Sequence, residues 1–173
     1  MNTAIKQLQP QDAEALSALC LRIYPQFFLY LWHEGGTWYQ QEKYNASQLR
    51  SEIENPNSRY YFIFLDNEPV GYLKINLHAT LPDFPSPNGL EVERIYLLQE
   101  MQGKGLGRQL MSFAIEQAQN LQKDHVFLYM MDSSLASLKF YEAMGFVKFG
   151  RKVLAFPQMK EEFRGMYSLI LNL

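Results

Sequence analysis

Six residues, Gln102-Gly103-Lys104-Gly105-Leu106-Gly107, constrain this chain more than any other stretch. The residues before them, 90–97, alternate apolar and polar as a strand does. The residues after them, 108–122, carry Leu110, Met111, Phe113, Ala114, Ala118 and Leu121 at helical spacing. A strand, a glycine turn and a helix N-terminus together make a device for holding anions. The first helical turn leaves backbone N–H groups without partners, and the helix dipole adds partial positive charge there. Glycines let that backbone approach phosphate oxygens closely. The loop therefore reads as a phosphate cradle, with Lys104 and Arg108 adding charge at its rim. A tight turn with glycines for packing is the plainer alternative.

Two familiar glycine fingerprints do not fit. A P-loop ends in Gly-Lys-Ser/Thr, which is missing here. A dinucleotide fingerprint needs Gly-x-Gly-x-x-Gly, and the third glycine, Gly107, comes one residue early. The remaining 173-residue chain bounds the reading further: 47% apolar and 14% aromatic residues favour one packed domain over residues 1–173. A net charge of −2 gives no basic field for nucleic acid. One cysteine, Cys20, excludes an internal disulfide and suits a reducing cytoplasm. No apolar run reaches the ~18–20 residues of a membrane span, and residues 1–6 lack a signal-peptide core. No pair of histidines or acids stands at metal-ligand spacing, so no metal is expected.

In chain order, residues 3–8 suggest a short strand, and Asp12 can cap a helix running to about Tyr24, where Pro25 interrupts. Residues 27–44 are the most aromatic and read as a helical hairpin or as a pocket wall. A further helix spans 44–54, capped by Asn45 or Ser47 and closed before Pro56. Residues 59–65 and 70–77 form a hairpin around the turn at Asp66 and Asn67. A loop with Pro82, Pro85 and Pro87 leads to the strand at 90–97. After the glycine loop and its helix come a strand at 126–130, a helix at 135–144 stopped by Gly145, and two strands near 146–154 and 166–173. Strand, helix and strand of that size make a parallel crossover.

The pattern Gln/Arg-x-x-Gly-x-Gly/Ala, met by Gln102, Gly105 and Gly107, resembles the acyl-CoA pyrophosphate loop of the GNAT superfamily of N-acetyltransferases. The element order βααα-βββ-αβαββ resembles that family's fold. The resemblance implies an α/β (α+β) architecture: a mixed, mostly antiparallel sheet of about seven strands flanked by helices, with the fourth and fifth strands splayed into a cofactor slot. It implies acetyl-CoA as cosubstrate, with Ile95, Tyr96 and Leu97 on the pantetheine and thioester and a bulge near residues 94–96. Gln102, Gly103, Lys104, Gly105, Leu106, Gly107 and Arg108 would take the pyrophosphate.

A second segment resembles the family's Asn-x-x-Ala/Ser-x-x-Phe-Tyr-x-x-x-Gly-Phe: Phe140-Tyr141 and Gly145-Phe146 match, Ser137 matches the small residue, and Ser134 replaces Asn. The resemblance makes Tyr141 the general acid towards the departing sulfur, and Ser134 and Ser137 cofactor contacts. Glu91 and Glu93 stand at i and i+2, on one face of a strand. Two carboxylates there can attract a cationic amine and take its proton, which matters because only about one alkylamine in a thousand is neutral near pH 7.4. By position in family polyamine acetyltransferases, Glu93 is the expected base and Glu91 a substrate contact.

Residues 55–64, 71–76 and 90–97, above all Glu91-Val92-Glu93-Arg94-Ile95-Tyr96, look like PaiA-type bacterial acetyltransferases, which act on spermidine and spermine. Tyr24, Trp32 and Trp38 would then line the pocket of a small-molecule amine. They suit an aromatic amine or a peptide N-terminus equally. A non-catalytic acyl-CoA sensor that keeps the loop and lacks turnover is the alternative of a different class. The C-terminal strands offer a surface for a homodimer.

Overall fold

The computed structural model describes residues 2–173; Met1, where the leader reading begins, lies outside them. Seven strands form one open sheet in the order β1-β2-β3-β4-β5-β7-β6. They are β1 (Thr3–Gln7), β2 (Ser58–Leu65), β3 (Glu68–Ala79), β4 (Gly89–Leu97), β5 (His125–Met131), β6 (Val147–Val153) and β7 (Gly165–Asn172). The helices are α1 (Ala13–Phe27), α2 (Thr37–Tyr44), α3 (Ala46–Glu54), α4 (Leu106–Asn120) and α5 (Leu135–Ala143). The expected order of elements holds, as does the mixed sheet: only β4 and β5 pair in parallel. None of the described helices is long and apolar enough to cross a membrane.

Local chemistry explains most boundaries. Asp66 and Asn67 both take positive φ (48° and 72°), the turn that matches the twist of the β2–β3 hairpin. Asn45 caps α3 by accepting the Gln48 N–H at 2.8 Å. Gly145, at φ 92°, ends the turn after α5. The core runs along both faces of the sheet, with Leu16, Ile23, Leu73, Ile75, Leu110 and Met111 fully buried. Cys20 is part of it, and burial pushes its thiol up to about 12.

Two expectations need correction. Pro25 does not interrupt α1 but sits inside it, in the last turn. The carbonyl it leaves without a donor belongs to Leu21, on the helix's exposed side, where water can replace the bond. The aromatic stretch is not a helical hairpin: Leu29–Leu31 is one 3-10 turn, and Gly35 and Gly36, at φ 67° and 69°, turn the chain left-handed before α2. The helix expected from 44 to 54 is α3, with Asn45 extended (ψ 150°) as its cap.

The site is positioned by one irregularity in β4. Lys74 pairs with Arg94 and Ile75 with Val92, so Glu93 is the extra residue of a bulge. That is one residue before the expected span. On the other edge, β4 and β5 pair only at Gly89–His125, Leu90–Val126 and Glu91–Phe127. Beyond Glu91 the two strands separate, and the bulge that bends β4 falls where the pairing stops.

Candidate active site

The separated strands leave a slot with backbone donors along one wall. The Leu98 N–H bonds to the Val70 carbonyl on the β3 side at 3.0 Å. Amides alternate along a strand, so Tyr96 faces β3 as well, while Ile95 and Leu97 turn their N–H groups into the slot. Tyr96 contributes its ring instead, packed on Phe28 and Tyr72.

Beyond β4 the glycine loop turns the chain into α4. Gly103 and Gly105 have φ 75° and 80°, and a side chain added at either would meet no neighbouring atom within 4 Å. The first helical bond of α4 runs from the Gln109 N–H to the Gly105 carbonyl at 3.1 Å. Among the described residues, the six amides from Gly103 to Arg108 donate to no backbone carbonyl. Gln102 does: its N–H bonds back to Gln99. Open backbone, unpaired donors and a helix N-terminus fit a diphosphate. Gly107 packs beneath, with room of ordinary contact distance towards Phe140 and Leu97. Lys104 stands at the rim with its ammonium 3.6 Å from the Met101 sulfur.

At the other end of the slot lies a cavity of about 250 Å³. Tyr141, Ser134 and Ser137 from α5 border it, with Tyr96, Tyr24 and Trp32. The two serine hydroxyls are 2.7 Å apart, and Ser134 makes no side-chain cap bond to α5. Burial alone pushes the Tyr141 phenol above its ordinary pKa, so it keeps its proton at neutral pH. The Trp32 indole N–H donates to the Tyr24 hydroxyl at 2.7 Å. Trp38 lies outside, lining a neighbouring recess with Trp32 and His33. Its buried indole N–H has no partner among the described residues.

Glu91 and Glu93 do not line the cavity. They sit on the sheet beside it, and Asn76 Nδ2 donates to both at 2.8 Å. Glu93 is also 2.7 Å from the Lys74 ammonium and 3.6 Å from Arg94. Burial raises the Glu91 carboxyl above the usual range, Asn76 opposes this, and the Glu93 charge adds to it. Burial and then the Glu91 charge raise the phenol of Tyr129, a wall of the cavity.

Sequence reasoning missed two parts of this arrangement. One is the buried polar cluster behind the site. Glu52 of α3 bonds Lys74 at 2.8 Å, Arg94 at 3.1 Å and the Tyr60 hydroxyl at 2.5 Å, while Arg94 also donates to Tyr60. Burial would raise the Glu52 carboxyl, but Arg94, Lys74 and Tyr60 outweigh it and hold it down at about 2. Lys74 and Asn76 at i and i+2 in an apolar strand were the available signal. The other is the roof. Trp32 and Met159 form a bridge, with the His33 N–H on the Gln158 carbonyl at 3.1 Å and the Lys160 N–H on the Leu31 carbonyl at 2.8 Å. Arg164 holds the Met159 carbonyl at 2.8 Å. No local pattern marks this pairing of two distant loops.

The sequence model of the family described as "Acetyltransferase (GNAT) family" matches residues 18–146. An uncharacterized N-acetyltransferase in the pepI 3′ region of Lactobacillus delbrueckii subsp. lactis is 37% identical over 109 residues. The match covers 63% of each, so the chain spans less than two thirds of that relative's length. The PaiA N-acetyltransferase of Thermoplasma acidophilum, solved with coenzyme A, superposes over 100% of both chains with a TM-score of 0.72 at 20% identity. The ribosomal-protein-alanine N-acetyltransferase of Brucella melitensis gives 0.74 at 18% identity, over 98% of this chain and 99% of its own. At those identities the structures show a shared fold.

Proposed function

The chain belongs to the GNAT acetyltransferase family, and we propose that it transfers an acetyl group from acetyl-CoA to a primary amine. One observation carries the reading. The same slot that begins at six unpaired loop amides ends at a cavity bordered by a buried, protonated tyrosine. A long molecule with a diphosphate at one end and a reactive thioester at the other matches that shape. Acetyl-CoA supplies the acetyl group as a thioester; the amine forms the C–N bond as the C–S bond breaks, giving an amide, a thiol and a proton.

The chain's own groups divide the work. Residues Gly103 to Arg108 hold the diphosphate, and Gln102 starts the turn that presents them. The Ile95 and Leu97 amides line the pantetheine path, and a slot-facing N–H can meet the charge growing on the thioester oxygen. Tyr141 gives its proton to the departing sulfur. Ser134 and Ser137 face the reacting end.

The proton of the incoming ammonium goes to a β4 carboxylate through water. Glu93 was the expected acceptor, but its Oε2 already takes bonds from Lys74 and Asn76. Glu91, with its raised pKa, is the better proton acceptor, and Glu93 is its positioning partner through Asn76. A polyamine acceptor is the finer reading that the sequence resemblance implies.

Free-thiol release from acetyl-CoA, measured with and without a panel of amines, tests the proposal. Release that requires an amine, with the acetyl amide found by mass spectrometry, is the expected result. Tight acetyl-CoA binding without release for any amine would sink it in favour of an acyl-CoA sensor.

A further inference from the structure

Resting on the amine-acetylation reading, we propose that the cavity selects a monoamine carried on an aromatic or other flat apolar body, in preference to a polyamine. Nine of the seventeen lining residues are aromatic, four are methionine, and none is charged. Trp32 lies edge-on to Phe156, with ring centroids 6.0 Å apart, and inclined to Tyr39 at 5.0 Å. Offset and edge-to-face rings are the arrangement into which another aromatic ring packs. Met159 and Met166 complete that wall with thioethers that adapt to a ring's edge. A cavity of ~150 Å³ holds a benzene ring, so about 250 Å³ admits a ring with a short amine arm.

Charge gives the second argument. A polyamine brings several ammonium groups, and each one that leaves water needs a carboxylate. An aromatic wall can take one ammonium through its ring faces. Two of the carboxylates beside the cavity, Glu52 and Glu93, are already matched by cations. Lys74 lies 2.7 Å from Glu93 and 2.8 Å from Glu52, and Arg94 lies 3.1 Å from Glu52. Lys152 stands 3.4 Å above the ring of Tyr129 and is occupied there. Lys74 and Arg94 balance Glu52 and Glu93, which leaves Glu91 for one ammonium and no carboxylate for a second or third.

The test compares 2-phenylethylamine, butylamine and spermidine in two assays. One is thiol release from acetyl-CoA; the other is quenching of the chain's two tryptophans, Trp32 and Trp38, in the coenzyme A-loaded protein. We expect kcat/KM for 2-phenylethylamine to exceed that for both other amines by at least about tenfold. Phe156→Ala should lower kcat/KM for 2-phenylethylamine more than for butylamine, and Met166→Glu should raise spermidine relative to 2-phenylethylamine. Turnover of spermidine or butylamine equal to or above that of 2-phenylethylamine overturns the inference and leaves amine acetylation standing. Quenching by 2-phenylethylamine without thiol release keeps the cavity assignment and removes the transferase reading. Neither quenching nor release with any amine overturns both.

Discussion

The ammonium of Lys74 lies 2.7 Å from the Oε2 of Glu93, the residue by which β4 bulges. The carboxylate nominated by sequence position is therefore tied down by a cation. Glu91, two residues earlier, shares its Asn76 partner and has the raised pKa. Glu91→Gln should lower kcat/KM by roughly 10²-fold, and Glu93→Gln by less. In the wild type, kcat/KM should fall as pH drops through the raised Glu91 pKa, above the usual carboxylate range. Glu91→Gln should remove that acid limb; a limb that survives unchanged would assign it to another group.

Tyr141 has no charge or hydrogen bond that shifts its phenol, only burial. Tyr141→Phe keeps the ring against Phe140 and Phe146 and deletes the proton. Turnover should fall at least about 10²-fold, while acetyl-CoA affinity by calorimetry stays close to wild type. An unchanged rate would take Tyr141 out of the acid role.

Glu52 joins α3 to β3 and β4 through two cations. Its folded pKa, about 2, lies below the ordinary 4.5. Its contribution is thus complete above pH 4.5 and is lost as pH falls towards 2. Glu52→Gln should cost roughly 3–5 kcal/mol at neutral pH, because Lys74 and Arg94 remain buried with less compensation. Urea unfolding at several pH values reads this: the mutant's deficit should shrink in acid.

His125 opens β5 with no exposed surface and with neither ring nitrogen paired among the described residues. It packs between Phe84 and Phe127. Burial lowers its folded pKa below the ordinary 6.5, so stability is full above 6.5 and declines as pH falls below it. His125→Phe should stabilise the protein by about 1–3 kcal/mol by removing unpaired buried polar atoms. The gain, followed by thermal unfolding, should grow in acid; a destabilised variant would mean that the ring nitrogens are paired in solution.

Gly105 and Gly107 separate conformation from space. Gly105→Ala meets nothing but must hold φ 80°, which costs about 1–2 kcal/mol and weakens the cradle. Gly107 has no positive φ, and an added methyl would touch Phe140 and Leu97 at ordinary distances, 3.6 and 3.7 Å. Gly107→Ala should leave stability within about 0.5 kcal/mol of wild type. Unfolding midpoints of the two variants, with acetyl-CoA titrations, check the contrast.

The glycine loop, the element order and the parallel β4–β5 crossover were legible because their signals are local: positive-φ glycines, alternation, and helical spacing within a few residues. Resemblance to a family segment singled out Tyr141 and Ser137, and both border the cavity. Pro25 misled because propensity describes an isolated helix; here Leu16, Ile23 and Tyr24 anchor α1 in the core and only one exposed carbonyl goes unmatched.

What the sequence alone determined was the set of elements, their order and the glycine turn between β4 and α4, since each follows from backbone preference and periodicity along a short stretch. The tertiary structure alone decided that Lys74 neutralises Glu93, that Glu52 reaches from α3 to two strands, and that Trp32 and Met159 close a roof across 127 residues of chain. Coulomb forces and packing act through space, so partners far apart in sequence leave no periodicity by which to read them.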